Sequence, residues 1–310
     1  IWSYKCLSEA DFDYSNLLAP KQYDFYRTHI DPLDKKVVVI ISDALRYEAA
    51  QGLLNEMHAD VRNTAEISYA LASIPSKTNI GMAQLLPGEK EFNDGSITVE
   101  GISSSGVENR SSILSKAREG AKAIQFAEAQ ELTREDSREL FKSPVVYIYH
   151  DVIDATGDKA VSERRTFSAV KEALAELSRF IKSIHATFNV TSVYVTADHG
   201  FLYSDKRLED PDKEALPGAD HISSHNRYFL TTEKQELEIG YSIPLSVTTC
   251  FDDELHVNIS ASTNRYRKQG VGHQFVHGGG SLQELVVPVI HSTRKRQDIA
   301  HKVTATVLGN

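Results

Sequence analysis

Cysteine is nearly absent: Cys6 and Cys250 are the only two in 310 residues, and they stand far apart. That separation excludes a disulfide framework and a cysteine-built metal site, and both read as ordinary thiols of a reducing compartment, with the cytoplasm as the default location. No apolar run is long enough to cross a bilayer and no signal-peptide pattern stands at the start, so no membrane partner is expected. Basic charge is in deficit, with 34 Lys+Arg against 43 Asp+Glu and a net charge of −9. A broad basic surface that grips nucleic acid by displacing counterions is therefore missing. A nuclease is still compatible with this balance, because bound divalent ions supply positive charge where a phosphate sits. There is no internal repeat, low-complexity block or clear linker, and no pattern encodes an oligomeric state. The chain opens on Ile1 rather than methionine, as a piece of a longer protein would.

What is present suits a sizeable core: 41% of residues are hydrophobic and 25% charged, the balance of a globular α/β domain with insertions. Three apolar, β-branched runs stand out. Val37-Val38-Val39-Ile40-Ile41 leads to Ser42-Asp43, Val145-Val146-Tyr147-Ile148-Tyr149 to His150-Asp151, and Val193-Tyr194-Val195-Thr196-Ala197 to Asp198-His199-Gly200. Open α/β sheets bind ligands outside the carboxyl ends of their strands. A single Asp after a strand is often only the cap of the next helix. Three such ends, one of them Asp-His-Gly, indicate one metal site assembled from three parts of the chain.

Around these runs, residues 1–34 read as a partly helical lead-in, 35–294 as the main domain and 295–310 as the start of a C-terminal extension, with 298–310 the first strand of a further domain. Helical spacing covers 48–57, and the apolar run 67–74 enters a strand-to-helix turn at Pro75-Ser76-Lys77-Thr78-Asn79. A short helix over 81–86 ends at Pro87-Gly88. Residues 89–106 read as hairpins, and 111–119 and 134–140 as helices. One long amphipathic helix is predicted over 159–185, with Val161, Phe167, Val170, Leu174, Leu177, Phe180 and Ile184 on one face. With the strand at 192–196 this makes a parallel crossover unit. The charged segment 207–220 reads as a flap, and short strands follow residue 228, including 245–250 and 285–290.

Four motifs occur in order: Ile41-Ser42-Asp43-Ala44-Leu45-Arg46-Tyr47-Glu48, the segment 75–87, Ala197-Asp198-His199-Gly200-Phe201, and His277-Gly278-Gly279-Gly280-Ser281-Leu282-Gln283-Glu284. Together they resemble the PglZ domain, a branch of the alkaline phosphatase superfamily best known from the BREX phage-defence systems of bacteria and found also as the effector of some response regulators. The resemblance runs from about Val37 to Ile290. It implies a three-layer α/β sandwich with a mostly parallel central sheet and helices on both faces. It also implies two divalent ions, usually Zn²⁺, and a Ser or Thr nucleophile at a helix start. Carried over by position, Asp43, Asp198 and His199 hold one ion, with Thr78 as nucleophile and additional ligand. The segment 75–79 is similar to the nucleophile region of the nucleotide pyrophosphatase/phosphodiesterase branch, which selects Thr78 over Ser76. A threonine hydroxyl is a weak nucleophile that metal coordination activates.

The same resemblance assigns Asp154, Asp158 and His277 to the second ion. Asp154-Ala155-Thr156-Gly157-Asp158 resembles an Asp-x-x-Gly-His ligand motif, but Asp158 stands where the superfamily has His. A carboxylate hardens the site and brings Mn²⁺ or Mg²⁺ into contention. His150 and Asp151 are reserve ligands or partners of the histidines. His221, His225 and His273 lie in polar stretches and read as surface, except that His225 can shape a substrate pocket near Asp198. Lys77 and Asn79 can hold phosphate oxygens. Arg46 can do so too, or cap and salt-bridge its own helix. Arg265, Tyr266 and Arg267 form a basic–aromatic cluster that either grips a phosphate backbone and stacks a base or is a solvated loop.

The expected function is therefore a metal-dependent phosphodiesterase of nuclease type. It would act on nucleotides or nucleic acid through Thr78, since Thr78-Asn79 resembles the diesterase pattern. The alternatives are a phosphomonoesterase of the same fold, or a catalytically silent scaffold. As partners the resemblance implies other BREX proteins, including a DNA methyltransferase.

Overall fold

The computed structural model describes residues 2–59, 62–93, 95–159, 161–205, 213–217, 221–251, 254–267 and 274–294. The expected extension at 295–310, His273 and most of the predicted flap lie outside them.

The β-branched runs form the centre of a six-stranded sheet. Its strands are β1 (Val37–Ser42), β2 (Asn63–Leu71), β3 (Lys122–Gln125), β4 (Val145–His150), β5 (Ser192–Thr196) and β6 (Val286–Arg294). The order across the sheet is β2-β6-β5-β1-β4-β3. All residues of β1, β4 and β5 are buried, the pattern of parallel strands covered on both faces. β3, β4, β1 and β5 pair in parallel, and β6 enters antiparallel between β5 and β2. β1 separates the two strands of the expected crossover unit. The register aligns Ser42 with His150 and Ile41 with Thr196, and the Asp43 amide donates to the His150 carbonyl at 2.7 Å. The three chemistry-bearing strand ends therefore lie side by side on one edge.

The helices are α1 (Tyr47–His58), α2 (Thr78–Gln84), α3 (Val152–Gly157) and α4 (Thr166–Thr187), with further ones at Val107–Ala117 and Arg134–Leu140. The single helix expected over 159–185 is shorter. α3 ends at Gly157, and a turn follows in which Ser162 Oγ donates to the Thr156 carbonyl at 2.7 Å. α4 starts only at Thr166. Val161 is fully exposed and Phe167 54% exposed. The buried stripe of α4 is Ala169, Ala173, Leu177, Ile181 and Ile184, flanked by Val170, Leu174 and Phe180.

The strand expected at 245–250 is a helical turn, Ser246–Thr249. Its threonine hydroxyls bond backbone groups instead of supporting a ladder: Thr249 turns back to the Leu245 carbonyl, and Thr248 serves another segment. Thr248 Oγ1 donates to the Ile74 carbonyl at 2.9 Å and accepts the Ile74 amide at 2.9 Å, which holds the chain just before Thr78. The expected hairpins at 89–106 are a three-stranded antiparallel meander, Lys90–Asn93, Ser96–Val99 and Ile102–Ser103.

Beyond β5, a second antiparallel sheet combines Ser223–Ser224, Tyr228–Thr231, His256–Ser260 and Gly240–Pro244. We call it the cap sheet. The N-terminal segment packs into the same core through Leu7, Tyr14, Phe25, Tyr26 and Ile30. Its Gln22 side chain donates to the carbonyls of Ala197 and Asp198 at 2.9 and 2.6 Å. Among the described residues no helix is long and apolar enough to cross a membrane.

Candidate metal centre

Each strand end is turned into the site by a specific backbone feature. After β1, Ala44 adopts a left-handed conformation, φ +61°, and its amide donates to Asp198 Oδ1 at 3.2 Å. That bond ties the β1 and β5 ends together. α2 opens on Thr78 and lies directly against the β5 loop: a side chain at Gly81 would put its Cβ 2.2 Å from the Asp198 carbonyl oxygen. Only glycine allows this approach, and it places Thr78 Oγ1 3.1 Å from His199 Nε2. From the far end of the chain, Ser76 docks the His277 loop, its Oγ donating to the Gly279 carbonyl at 2.9 Å and accepting the Gly278 amide at 3.0 Å.

The side chains form three groups whose donor atoms lie within 4.8 Å of one another: Asp43, Asp198 and His199; Asp154, His199 and His277; and Asp158, His225 and His277. Asp198 and His199 are fully buried, and Asp43 and His277 nearly so. His199 Nε2 is 3.5 Å from Asp43 Oδ1 and 3.4 Å from Asp198 Oδ2. His277 Nε2 is 3.9 Å from Asp154 Oδ1. The two imidazoles stack, centroids 4.2 Å apart and planes 4° from parallel.

Hydrogen bonding assigns their tautomers. His199 Nδ1 faces the Gly200 carbonyl at 2.9 Å and His277 Nδ1 the Ser76 carbonyl at 3.2 Å. A carbonyl only accepts, so each Nδ1 carries a proton, and the His199 ring, kept neutral by burial, presents a lone pair at Nε2 to the carboxylates. Second partners that fix a ligand histidine in this way are typical of metal sites.

The electrostatics are those of a place made for positive charge. Burial raises the pKa of the Asp43, Asp154 and Asp198 carboxyls; neighbouring carboxylates push Asp43 further the same way, while at Asp154 the His277 and His199 imidazoles act against burial. Burial, with His277 alongside, lowers His199 to about 3. Asp43 Oδ1, Asp154 Oδ1 and Asp198 Oδ2 are buried without a hydrogen-bond partner among the described residues. Buried polar atoms are normally paired. Three orphaned carboxylate oxygens facing imidazole nitrogens fit divalent ions, and the mixed N/O donor set suits Zn²⁺ and leaves Mn²⁺ open.

Of the predicted residues, Asp43, Thr78 and Asp198 gather around His199, Asp154 joins His199 and His277, and Asp158 joins His277 together with His225. Lys77, next to Thr78, places its Nζ 5.8 Å from the centre of the Tyr228 ring. Asn79 makes only a 3.5 Å contact to the Gly95 carbonyl.

Other candidates fall outside. Arg46 pairs with Glu48 and lies over Phe201, the helix-end role that was its alternative. His150 is turned into the helical layer, bonded to Ser42 Oγ at 2.9 Å and packed on Phe126, and joins no donor group; nor does the exposed Asp151. His221 packs on Phe229. Arg265 and Tyr266 are fully buried in the cap, so neither can grip a phosphate backbone or stack a base.

Sequence reasoning missed three residues. Ser76 was passed over in favour of Thr78. The Arg227–Glu284 pair is buried, Arg227 Nη2 lying 3.0 Å from Glu284 Oε2, and Glu284 also accepts the Gly279 and Ser281 amides at 2.8 and 3.0 Å. Burial alone would raise the Glu284 pKa, but Arg227 and the Ser281 bonds hold it below the usual carboxylate value. Ser281 and Glu284 form a capping box, a spacing legible in sequence; nothing in sequence marked Arg227. His225, expected at a substrate pocket, lies within the donor cluster.

Comparison with known proteins identifies the family and the fold. Residues 25–292 match the family described as "BREX system PglZ alkaline phosphatase-like domain". The chain is 34% identical over 275 residues to the "Alkaline phosphatase-like protein PglZ" of Bacillus cereus (strain H3081.97), covering 87% of this chain and 32% of that protein. It is 35% identical over 295 residues to the "Alkaline phosphatase-like protein BrxZ" of Escherichia coli O9:H4 (strain HS), covering 91% and 34%. The chain thus spans about a third of the length of these relatives.

Among solved structures, murine ectonucleotide pyrophosphatase/phosphodiesterase 5, as an inactive threonine-to-alanine variant with AMP, superposes with TM-score 0.58 at 12% identity, over 84% of this chain and 88% of that one. Phosphonoacetate hydrolase of Sinorhizobium meliloti 1021, in complex with phosphonoformate, superposes with TM-score 0.50 at 11% identity, over 83% and 89%. At these identities the likeness shows the fold, a three-layer α/β sandwich of the alkaline phosphatase type. Three parallel strand ends carrying Asp43, Asp154 (four residues beyond β4) and Asp198-His199, the docked His277 loop and the family match lead to one conclusion: the chain belongs to the PglZ family of alkaline phosphatase-like domains of BREX systems.

Proposed function

We propose that this domain is a metal-dependent phosphoric ester hydrolase that favours phosphodiesters of nucleotides or nucleic acid and uses Thr78 as its nucleophile. The observation that carries the reading is Thr78 Oγ1 at 3.1 Å from His199 Nε2, beside the orphaned oxygens of Asp43 and Asp198. Asp43, Asp198, His199 and Thr78 would hold one ion, and Asp154, Asp158 and His277 the other, Zn²⁺ being favoured over Mn²⁺ and Mg²⁺. Two such ions supply charge to the attacking and leaving oxygens of an in-line displacement and lower the cost of ionising a hydroxyl.

The protein's own contribution is placement. α2, held against Asp198 through Gly81, presents the Thr78 hydroxyl to the cluster. Thr78 Oγ forms a bond to phosphorus as the alcohol leaves, and water then cleaves the Thr78 ester and frees the phosphoryl group. Lys77 and Asn79 flank Thr78 in sequence, and in this reading they bind non-bridging oxygens. Support for the nucleophile comes from the solved neighbour described as inactive when a threonine is alanine, with AMP present. In the longer relatives the domain would act within BREX phage defence, alongside other components including a DNA methyltransferase. The second reading, a silent scaffold, draws on Asp158 in place of His.

Turnover of bis-p-nitrophenyl phosphate and p-nitrophenyl phosphate with Zn²⁺, Mn²⁺ or Mg²⁺ tests this. The diester is expected to be turned over faster, and Thr78→Ala is expected to lower turnover by at least a factor of about 10³, the scale of a lost nucleophile. A folded, ion-loaded protein that turns over neither ester would favour the scaffold. Turnover unchanged in Thr78→Ala would remove Thr78 from the mechanism.

A further inference from the structure

Position 158 carries a carboxylate where the resemblance leads one to expect an imidazole, and the cap sheet brings an imidazole to the same spot. We infer that His225 is a ligand of the second ion, completing with Asp154, Asp158 and His277 a set of two nitrogens and two oxygens. This rests on the two-ion reading above and assigns His225 a role in place of the substrate contact expected from sequence.

The placement is built from three directions. Donor atoms of Asp158, His225 and His277 lie within 4.8 Å of one another, and the His225 and His277 rings are 5.2 Å apart. His225 stands at a tight hairpin closed by its own amide donating to the Tyr228 carbonyl at 2.7 Å, and its ring stacks on Tyr228 at 5.9 Å. Asp158 follows Gly157, where a Cβ would come within 2.4 Å of the Phe275 ring, so the end of α3 is pressed against the strand that leads to His277. His277 Nδ1 is engaged by Ser76, leaving Nε2 to the cluster.

Chemically, an Asp-Asp-His set is oxygen-rich and suits hard ions. Adding His225 gives the four-coordinate N₂O₂ environment that Zn²⁺ accepts. An imidazole missing at the fifth position of the α3 motif is thus returned by a residue 67 positions later (158 to 225). A consequence is mechanical: the ion cross-links the cap hairpin to α3 and the His277 loop.

The test counts ions. The whole chain is stripped with chelator, reloaded with Zn²⁺, dialysed and assayed for metal per chain, with zinc absorption fine structure reporting the nitrogen and oxygen donors. The wild type is expected to hold two ions. His225→Ala is expected to keep one and to bind the second at least about 100-fold more weakly, with metal-free thermal stability unchanged. The double variant Asp158→His/His225→Ala is expected to regain the second ion, since an imidazole at either position completes the set. Two tightly held ions in His225→Ala, with unchanged donors, would overturn the assignment while leaving the two-ion reading intact. Fewer than two ions in the wild type would overturn both.

Discussion

Asp198 is the residue where function and stability oppose each other most directly. Burial raises its pKa from 3.8 to about 6, so in the metal-free fold its ionised form is a cost. The neutral form stabilises the fold below about pH 4, and that stabilisation is lost as pH rises through about 6. Asn at this position can keep the oxygen that accepts the Ala44 amide while removing the charge. Asp198→Asn is therefore expected to stabilise the metal-free protein by about 1–3 kcal/mol at pH 7, with the gain vanishing near pH 4. Urea unfolding of both proteins across this range checks it, and a constant difference would place the raised value elsewhere. The same variant should lose the first ion. Such gains on removing a site residue are the usual price of a preorganised site.

At the scale of elements, the site depends on segments that touch across long stretches of sequence. The His277 loop is docked by Ser76, 201 positions away, through bonds to the Gly278 amide and the Gly279 carbonyl. Ser76→Ala would leave both groups buried and unpaired, a cost of about 1–3 kcal/mol. It is also expected to weaken the second ion 10- to 100-fold while sparing the first, because the loop that carries His277 is no longer fastened against the Ser76 carbonyl that aims its ring. Titration with Zn²⁺ resolves the two steps, and equal weakening of both would mean general loosening of the fold.

The elements also show how far sequence reading reached. β1, β4 and β5 were legible because a strand buried on both faces needs an unbroken apolar run, and their ends drew attention to Asp43 and to Asp198-His199. The 159–185 helix was drawn too long because Val161 and Phe167 continue the helical period without facing the core. The 245–250 strand was misread because its threonines look β-prone yet spend their hydroxyls on Ile74 and Leu245.

For the whole molecule, ion binding and folding should be linked, since the proposed ligands come from the ends of β1, α3 and β5, from the His277 loop and from the cap hairpin. Each ion at a hundredfold excess over its dissociation constant adds about 2.7 kcal/mol, so chelation is expected to lower the melting temperature by on the order of 10 °C at pH 7.5. The difference should shrink as pH falls below about 6, where Asp198 keeps its proton in the metal-free fold and an ion must displace it. Calorimetry with and without chelator measures this, and a pH-independent difference would point to ions bound outside the carboxylate cluster.

The sequence by itself determined the strand core, its class and its family, because apolar runs, ordered motifs and their terminal Asp and His residues are local or follow one another along the chain. It also named the first ion's candidates, since those sit at strand ends whose position a parallel sheet dictates. Only the tertiary structure brought His225 beside His277, Ser76 against the His277 loop and Arg227 onto Glu284. Each acts through contacts with residues between 52 and 203 positions away, and separations of that size leave no periodicity or spacing for a linear reading to detect.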